Sequence, residues 1–259
     1  MDSDNPQPLP LLVSGARLMG FDLSARQLEQ FQLYYETLVD WNSRINLTAI
    51  TTYEAVQVRH FLDSLTVGAA FLKELERKTS ERAIAPPPGT KLLDVGTGAG
   101  FPGVPLKIVW PQVHVVLADS IGKKTAFLSA LSASLGLSGI EVITARAEEL
   151  GQSKLHRQQY TAVAARAVAS LPVLCEYCIP LVKVGGWMLA PKKGDISPEL
   201  EEAKKAARIL GGGEPRLHRF TLPGEEEDRF VVAVKKVKVT PPGYPRRVGL
   251  AKAQPLGSG

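Results

Sequence analysis

The segment Leu92-Leu93-Asp94-Val95-Gly96-Thr97-Gly98-Ala99-Gly100-Phe101-Pro102-Gly103 constrains the fold of this chain more than any other. A short apolar run ends in alternating glycines and passes into a helix-starting segment. The glycines permit a tight turn and let a ligand approach the backbone. The next helix points its positive N-terminal end at that ligand, and Pro102 suits its first turn, where a missing N–H costs nothing. Asp119 closes the following apolar run, 19 residues after Gly100. There a carboxylate can take the ribose hydroxyls of a nucleoside cofactor. A turn kept only for packing is the plain alternative. Strand, turn, helix, strand and acid in register weigh against it.

The rest of the chain is organised around that unit. Further strands are expected at Val113–Ala118, Ile140–Thr144, Tyr160–Ala164 and Gly186–Ala190, beside Lys91–Val95. Helices are expected between them at Pro102–Val109, Lys123–Leu135, Ser170–Val182 and Pro198–Leu210. Short apolar strands alternating with helices predict an α/β fold with helices on both faces of a mostly parallel sheet. Glu214–Leu222 and Phe230–Val239 flank an acidic turn, Gly224 to Asp228, and read as an antiparallel terminal hairpin. Before the sheet, Ser24 with Gln27 reads as a capping box ahead of Leu28, Phe31, Tyr35, Leu38 and Val39 at helical spacing. Thr51 with Glu54 reads as a second box, opening a helix to about Leu75. The break at Lys78–Thr90 contains Pro86-Pro87-Pro88-Gly89, which no helix tolerates. The expected division is an N-terminal helical segment over 1–85 packed on the sheet domain, the α/β domain itself over 86–239, and a basic, extended tail over 240–259.

Composition excludes several classes. In 259 residues, 44% are hydrophobic and 22% charged, which is ordinary globular usage and not that of a disordered chain or a rod. No window approaches the ~18 uninterrupted apolar residues of a membrane span, and the acidic N-terminus has no apolar secretory core. Cytoplasmic location is the expectation. Net charge is +5, yet the part before Arg229 is net −2, because the last 31 residues hold seven basic residues and no acidic one. Such a tail reads either as a polyanion-binding arm or as a solvated tail. Cys175 and Cys178 form a lone C-x-x-C without a second pair or histidine spacing for a metal, so they read as buried small residues; no metal site is expected. Trp41, Trp110 and Trp187 read as packing residues.

Asp94 lies two residues before Gly96, giving Asp-x-Gly-x-Gly-x-Gly straight off the strand. A pyrophosphate is not helped by that acid, whereas an aminoacyl ammonium is. The pattern resembles the first motif of class I methyltransferases, which bind S-adenosylmethionine. More specifically, the chain resembles the bacterial 16S ribosomal RNA guanine-N7 methyltransferases, historically called glucose-inhibited division protein B. The segments that carry the resemblance include Trp41-Asn42 with Ile45-Asn46-Leu47-Thr48, Arg59-His60-Phe61-Leu62-Asp63-Ser64-Leu65 and Gly96 to Gly103 read as GTGAGFPG. Asp119-Ser120 with Gly122-Lys123-Lys124, Arg146-Ala147-Glu148-Glu149 and Ala165-Arg166-Ala167 extend it, so that it spans roughly Ser24 to Val239. Tyr244-Pro245-Arg246-Arg247 resembles the tail of some members.

The resemblance implies a class I, Rossmann-like fold with a seven-stranded sheet, and methyl transfer from S-adenosylmethionine to guanine N7 in 16S ribosomal RNA. It places Asp94, Gly96, Gly98, Gly100 and Phe101 at the cofactor turn, Asp119 and Ser120 at the ribose, Ala147 and Glu148 at the adenine side, and Arg166 at the cofactor site. Arg166 could hold the cofactor carboxylate or the target base. Arg59, His60 and Asp63 are positioning candidates at the mouth. Arg59 and Asp63 are also four apart on one helix, which by itself is a plain salt bridge, and His60 alone reads equally as a capping or buried histidine. Lys192, Lys193, Arg246 and Arg247 are candidates for RNA phosphate. The expected partner is the small ribosomal subunit or its RNA, and the expected state is a monomer.

Guanine N7 attacks the methyl with an in-plane lone pair and carries no proton, so no general base is needed. No Asp/Asn-Pro-Pro-Tyr or Phe motif for exocyclic amines follows the fourth strand. Because the A-form major groove hides N7, the target base should lie in a loop or be turned out of its stack. Three rivals stand beside this reading. A nicotinamide-dependent oxidoreductase rests on the overlapping G-x-G-x-x-G, but no substrate domain or hydride-site acid is found. A non-catalytic RNA-binding assembly factor rests on the tail. A small-molecule methyltransferase is opposed mainly by the Arg-His-x-x-Asp-Ser helix.

Overall fold

The computed structural model describes residues 9–76 and 85–257. Residues 78–84 of the proline-rich break lie outside the described residues. Seven strands form one sheet: β1 (Lys91–Val95), β2 (His114–Asp119), β3 (Ile140–Thr144), β4 (Tyr160–Ala164), β5 (Val182–Lys193), β6 (Arg216–Phe220) and β7 (Arg229–Lys235). Their order is β3-β2-β1-β4-β5-β7-β6, with β7 running antiparallel between β5 and β6. The chain winds outward one way from β1 to β3 and the other way from β4. The strand order therefore reverses between β1 and β4, and their carboxyl ends open a crevice there.

Helices cover both faces. α1 (Pro10–Leu18), α2 (Ala25–Asn42), α3 (Tyr53–Val56), a π-helical segment (Gln57–Leu62) and α4 (Asp63–Glu76) precede the sheet. α5 (Gly103–Val109), α6 (Gly122–Ser134), α7 (Ala147–Gln152), α8 (Leu171–Cys178) and α9 (Ser197–Leu210) alternate with strands, and α10 (Leu250–Ala253) follows β7. One apolar cluster unites Leu12, Phe31, Phe61 and Phe71 of the leading helices with Val104, Val115 and Leu189. The other packs Leu174, Ala203 and Leu210 against Leu93, Val116 and Met188. The N-terminal helices thus share a core with one face of the sheet.

Local chemistry explains the leading helices. Ser24 and Gln27 form the expected box: Ser24 Oγ accepts from the Gln27 N–H at 3.3 Å and Gln27 Oε1 from the Ser24 N–H at 2.9 Å. On α2 the buried stripe is Phe31, Tyr34 and Leu38; Tyr35 is half-buried against the same core, edge-on to Tyr53, and Val39 is exposed. The box expected at Thr51 does not form. Thr52 occupies the cap position and makes no side-chain bond. Buried Gln57 accepts from the N–H groups of Leu11 and Leu12 at 3.0 and 3.2 Å, which satisfies first-turn donors of α1 that have no partner within their own helix.

The tail departs most from expectation. Instead of an extended arm, residues 240–257 fold back onto α7, α8 and α9. Thr240 is buried and its hydroxyl donates to the Leu210 carbonyl at 2.7 Å, and Ala251 of α10 joins the second core cluster. Among the described residues, no helix is long and apolar enough to cross a membrane.

Candidate functional site

The site begins under the glycine turn. Asp94, at the end of β1, is fully buried. Its Oδ2 accepts from the Thr97 hydroxyl at 2.7 Å and the Gly103 N–H at 2.8 Å, while its Oδ1 has no partner. Burial pushes the carboxyl up to about 6 despite those two bonds. Gly96, Gly98 and Gly100 have φ of 66°, 60° and 99°, which favours glycine. A Cβ at Gly96 would lie 2.6 Å from Val168 Cγ2, whereas one at Gly98 would meet nothing closer than 4.0 Å. The turn is therefore closed behind Gly96 and open in front of Gly98. Asp119 holds it from β2, its Oδ2 accepting from Gly98 N–H at 3.0 Å and its Oδ1 from Ile121 N–H at 2.9 Å.

The leading helices build the other wall. Phe101 is buried between Tyr34, with ring centroids 5.2 Å apart, and His60, at 4.4 Å, both nearly parallel to it. The Tyr34 hydroxyl donates to the Ala99 carbonyl at 2.5 Å. Arg166, just past the carboxyl end of β4, places its guanidinium 5.0 Å over the Phe101 ring. One of its nitrogens lies 3.3 Å from His60 Nδ1, and Thr48 Oγ1 lies 2.8 Å from His60 Nε2. Arginine has no acceptor, so Nδ1 accepts and Nε2 carries the proton. Burial, with Arg166 adding to it, pushes His60 down to about 3. The ring is neutral at physiological pH.

Charged groups continue outward as an alternating chain. Arg166 donates to Asp63 Oδ2 at 2.8 Å and to the Arg59 carbonyl at 3.1 Å. Arg229 Nε lies 3.3 Å from Asp63 Oδ1, Arg229 donates to Glu225 Oε2 at 2.6 Å, and Arg59 to Glu225 Oε1 at 2.7 Å. The helix pair expected between Arg59 and Asp63 is not made. Residues 57–62 are π-helical, and an i→i+5 turn rotates the two side chains off a common stripe. These residues line a cavity of about 800 Å³ together with Lys192 and Lys193. Ala167, also on its wall, holds φ at 56°, a strain of about 1–2 kcal/mol for a residue with a Cβ.

The remaining candidates divide. Ser120 is exposed beside Asp119, and Ala147 opens α7 after the neighbouring strand β3. Glu148 is buried, and its Oε1 accepts from the N–H of Gly249 at 3.1 Å. Lys192 is engaged internally, donating to Glu199 at 2.8 Å and to the Ala169 carbonyl at 3.0 Å. Arg246 is likewise bound within the fold, to buried Glu176. Of the four basic candidates, Lys193 and Arg247 present exposed side chains. Cys175 and Cys178 are free and buried, with thiols pushed up by burial. Trp110 and Trp187 are core residues, and Trp41 packs edge-on against Phe127. No metal-holding cluster occurs among the described residues. Tyr34, Glu225 and Arg229 were not anticipated. The spacing Phe31–Tyr34–Leu38 carried a signal for the first; the other two lie far from the motif in sequence.

Sheet order, glycine turn and the acid closing β2 define a class I methyltransferase. The antiparallel β7 inserted beside β5 sets it apart from the all-parallel dehydrogenase sheet that the overlapping G-x-G-x-x-G left open. The family described as rRNA small subunit methyltransferase G matches residues 27–226. The ribosomal RNA small subunit methyltransferase G of Dehalococcoides mccartyi is 46% identical over 245 residues, covering 95% of this chain and 98% of that protein. The protein of the same description from Halalkalibacterium halodurans is 47% identical over 237 residues, 92% of this chain and 94% of its own. Among solved structures, an rRNA methylase from Streptococcus thermophilus aligns with 58% of this chain and 89% of its own, at 17% identity and a TM-score of 0.45. The chain belongs to the rRNA small subunit methyltransferase G family.

Proposed function

We propose that this chain transfers the methyl group of S-adenosylmethionine to N7 of a guanine in 16S ribosomal RNA, in the decoding-region loop of the small subunit. The observation that carries the reading is Asp94 Oδ1, buried and unpartnered beneath a glycine turn that is open in front of Gly98. An unmade bond on a buried carboxylate is costly, and an aminoacyl ammonium is the partner it fits. Asp119 takes the ribose hydroxyls, with Ser120 beside it, and Ala147–Glu148 flank the adenine one strand further out. S-adenosylmethionine supplies a sulfonium methyl when bound. Phe101, clamped by Tyr34 and His60, fixes the turn that orients it, and the arginine-lined cavity receives the RNA. Methylation leaves the guanine cationic. Lys193 and Arg247, with exposed side chains, are the basic candidates to meet phosphate.

The test is methyl transfer from labelled S-adenosylmethionine to small subunits lacking the modification, followed by nucleoside analysis. Label in 7-methylguanosine is the expected result. Cofactor binding without label on RNA would favour a small-molecule substrate or a non-catalytic factor.

Two pH dependences follow. An ammonium binds the ionised form of Asp94, which in the folded chain titrates at about 6. Cofactor affinity is therefore complete above that pH and falls below it, approaching about tenfold per pH unit. Isothermal titration between pH 5 and 8 measures this, and Asp94→Asn gives a weaker, flat profile. The chemical step behaves differently. His60 stays neutral and N7 has no proton to lose, so the single-turnover rate at saturating cofactor and RNA is level from pH 7 to 9. A fall of about tenfold within that range would reveal a general base.

A further inference from the structure

The segment after β7 is fastened to the two helices that flank the outer side of the cofactor crevice. Arg157 donates to the carbonyls of Thr240 at 3.0 Å and Tyr244 at 2.5 Å, and also to Gly151 in α7 at 2.8 Å. Gln152 donates to the Pro245 carbonyl at 2.6 Å. The Pro245 ring sits where a Cβ on Gly151 would be, 2.6 Å from that position. Arg246 makes a two-pronged pair with Glu176 of α8, at 2.9 and 2.6 Å, and Glu176 also accepts the Arg246 N–H at 2.8 Å. Glu176 is fully buried. The Gly249 N–H reaches Glu148 Oε1 at 3.1 Å, and the same carboxylate adds to burial in pushing the Tyr177 hydroxyl of α8 up to about 12. The carboxylate of Glu148 is thus held between α8 and the tail.

α7 is only six residues long, too short to be stable by itself. It follows β3, which pairs with the Asp119 end of β2. A nucleoside whose ribose sits on Asp119 extends its base toward the start of α7. We propose that residues 240–257 position the base-side wall of the cofactor pocket, with Arg246 and Gly249 acting through Glu176 and Glu148. The tail's arginine then serves the cofactor site and not the RNA. This rests on the reading that Asp119 and Ala147–Glu148 hold the nucleoside.

The test compares Arg246→Gln with the parent for binding of S-adenosylmethionine by calorimetry, and for the KM and salt slope of RNA. Charge-assisted bonds of this kind are worth about a factor of ten each. The expected result is a roughly tenfold weaker cofactor Kd, with kcat, RNA KM and salt slope kept. Arg246→Lys, which keeps the charge but not the fork, falls between. Unchanged cofactor Kd with a flatter RNA salt slope overturns the proposal and returns Arg246 to the RNA surface. If Arg246→Gln does not fold, Gln152→Leu removes one tail contact at an exposed position and must shift cofactor Kd in the same direction; no shift overturns the proposal. A parent chain that binds no S-adenosylmethionine overturns it too, through the nucleoside reading beneath it.

Discussion

Gly96→Ala weakens S-adenosylmethionine binding by about 100-fold, because the added methyl carries two separate costs. The residue holds φ at 66°, where a Cβ costs about 1–2 kcal/mol. The methyl would also lie 2.6 Å from Val168 Cγ2, and overpacking of that kind adds about 1–3 kcal/mol. The turn escapes both by moving, and in moving it releases the Ala118 carbonyl that Gly96 N–H and Thr97 N–H share at 2.8 and 3.1 Å. Gly98→Ala is the informative partner. Its φ of 60° imposes similar backbone strain, but its Cβ would enter open space. It should lose cofactor affinity by obstructing the ligand while melting closer to the parent than Gly96→Ala does. Titration calorimetry paired with thermal melts separates the two. Parent-like affinity in Gly96→Ala would remove the glycine turn from the cofactor site.

What was readable beforehand follows from the range of the interactions involved. The βα alternation is written in local hydrophobic periodicity, so strands and most helices were placed within a few residues, and the order of the acids and glycines located the crevice. β5 extends beyond Gly186–Ala190 to Val182–Lys193 because it pairs with β4 from Val182 and with β7 as far as Lys193, opposite Arg229, information held elsewhere in the chain. α7 and α10 are too short to show a period. The tail misled for a related reason: its proline and glycine content reads as extended, whereas the Arg246–Glu176 pair that docks it joins positions 70 residues apart. Arg59 and Asp63 obeyed the spacing of an α-helix in a segment that is π-helical, so that pair gave way to partners just past β4, at the start of β7 and in the β6–β7 turn. The individual site residues were legible as a set of types; their mutual contacts were not.

Arg166→Ala should produce the largest loss of any single replacement at the mouth, and burial is the reason. The side chains of Arg166 and Asp63 are 15% and 10% exposed. Removing one partner of such a pair costs about 3–5 kcal/mol, because the other charge stays behind in a poor solvent. Asp63 would keep only Arg229, at 3.3 Å. His60 Nδ1 and the Arg59 carbonyl would each lose a donor, and Phe101 the cation above its ring. For a chain of this size, that stability loss corresponds to a melting decrease of order 10 °C. Methyl transfer falls further than stability does, since the same guanidinium joins the leading helices to the end of β4 beside the glycine turn. Arg166→Lys does not restore it: an ammonium cannot reach Asp63, the Arg59 carbonyl and His60 in one geometry. Arg59→Ala is the control within the same charge chain. Its side chain is 52% exposed, so its pair with Glu225 is worth less than about 1 kcal/mol, and the melting temperature should hardly move. Imidazole titration by NMR adds a second reading, of burial and charge together. Arg166 helps to hold His60 down, so the histidine should titrate at higher pH in Arg166→Ala than in the parent. A variant that melts, titrates and methylates like the parent would show that the guanidinium neither braces the mouth nor adds to the lowering of His60.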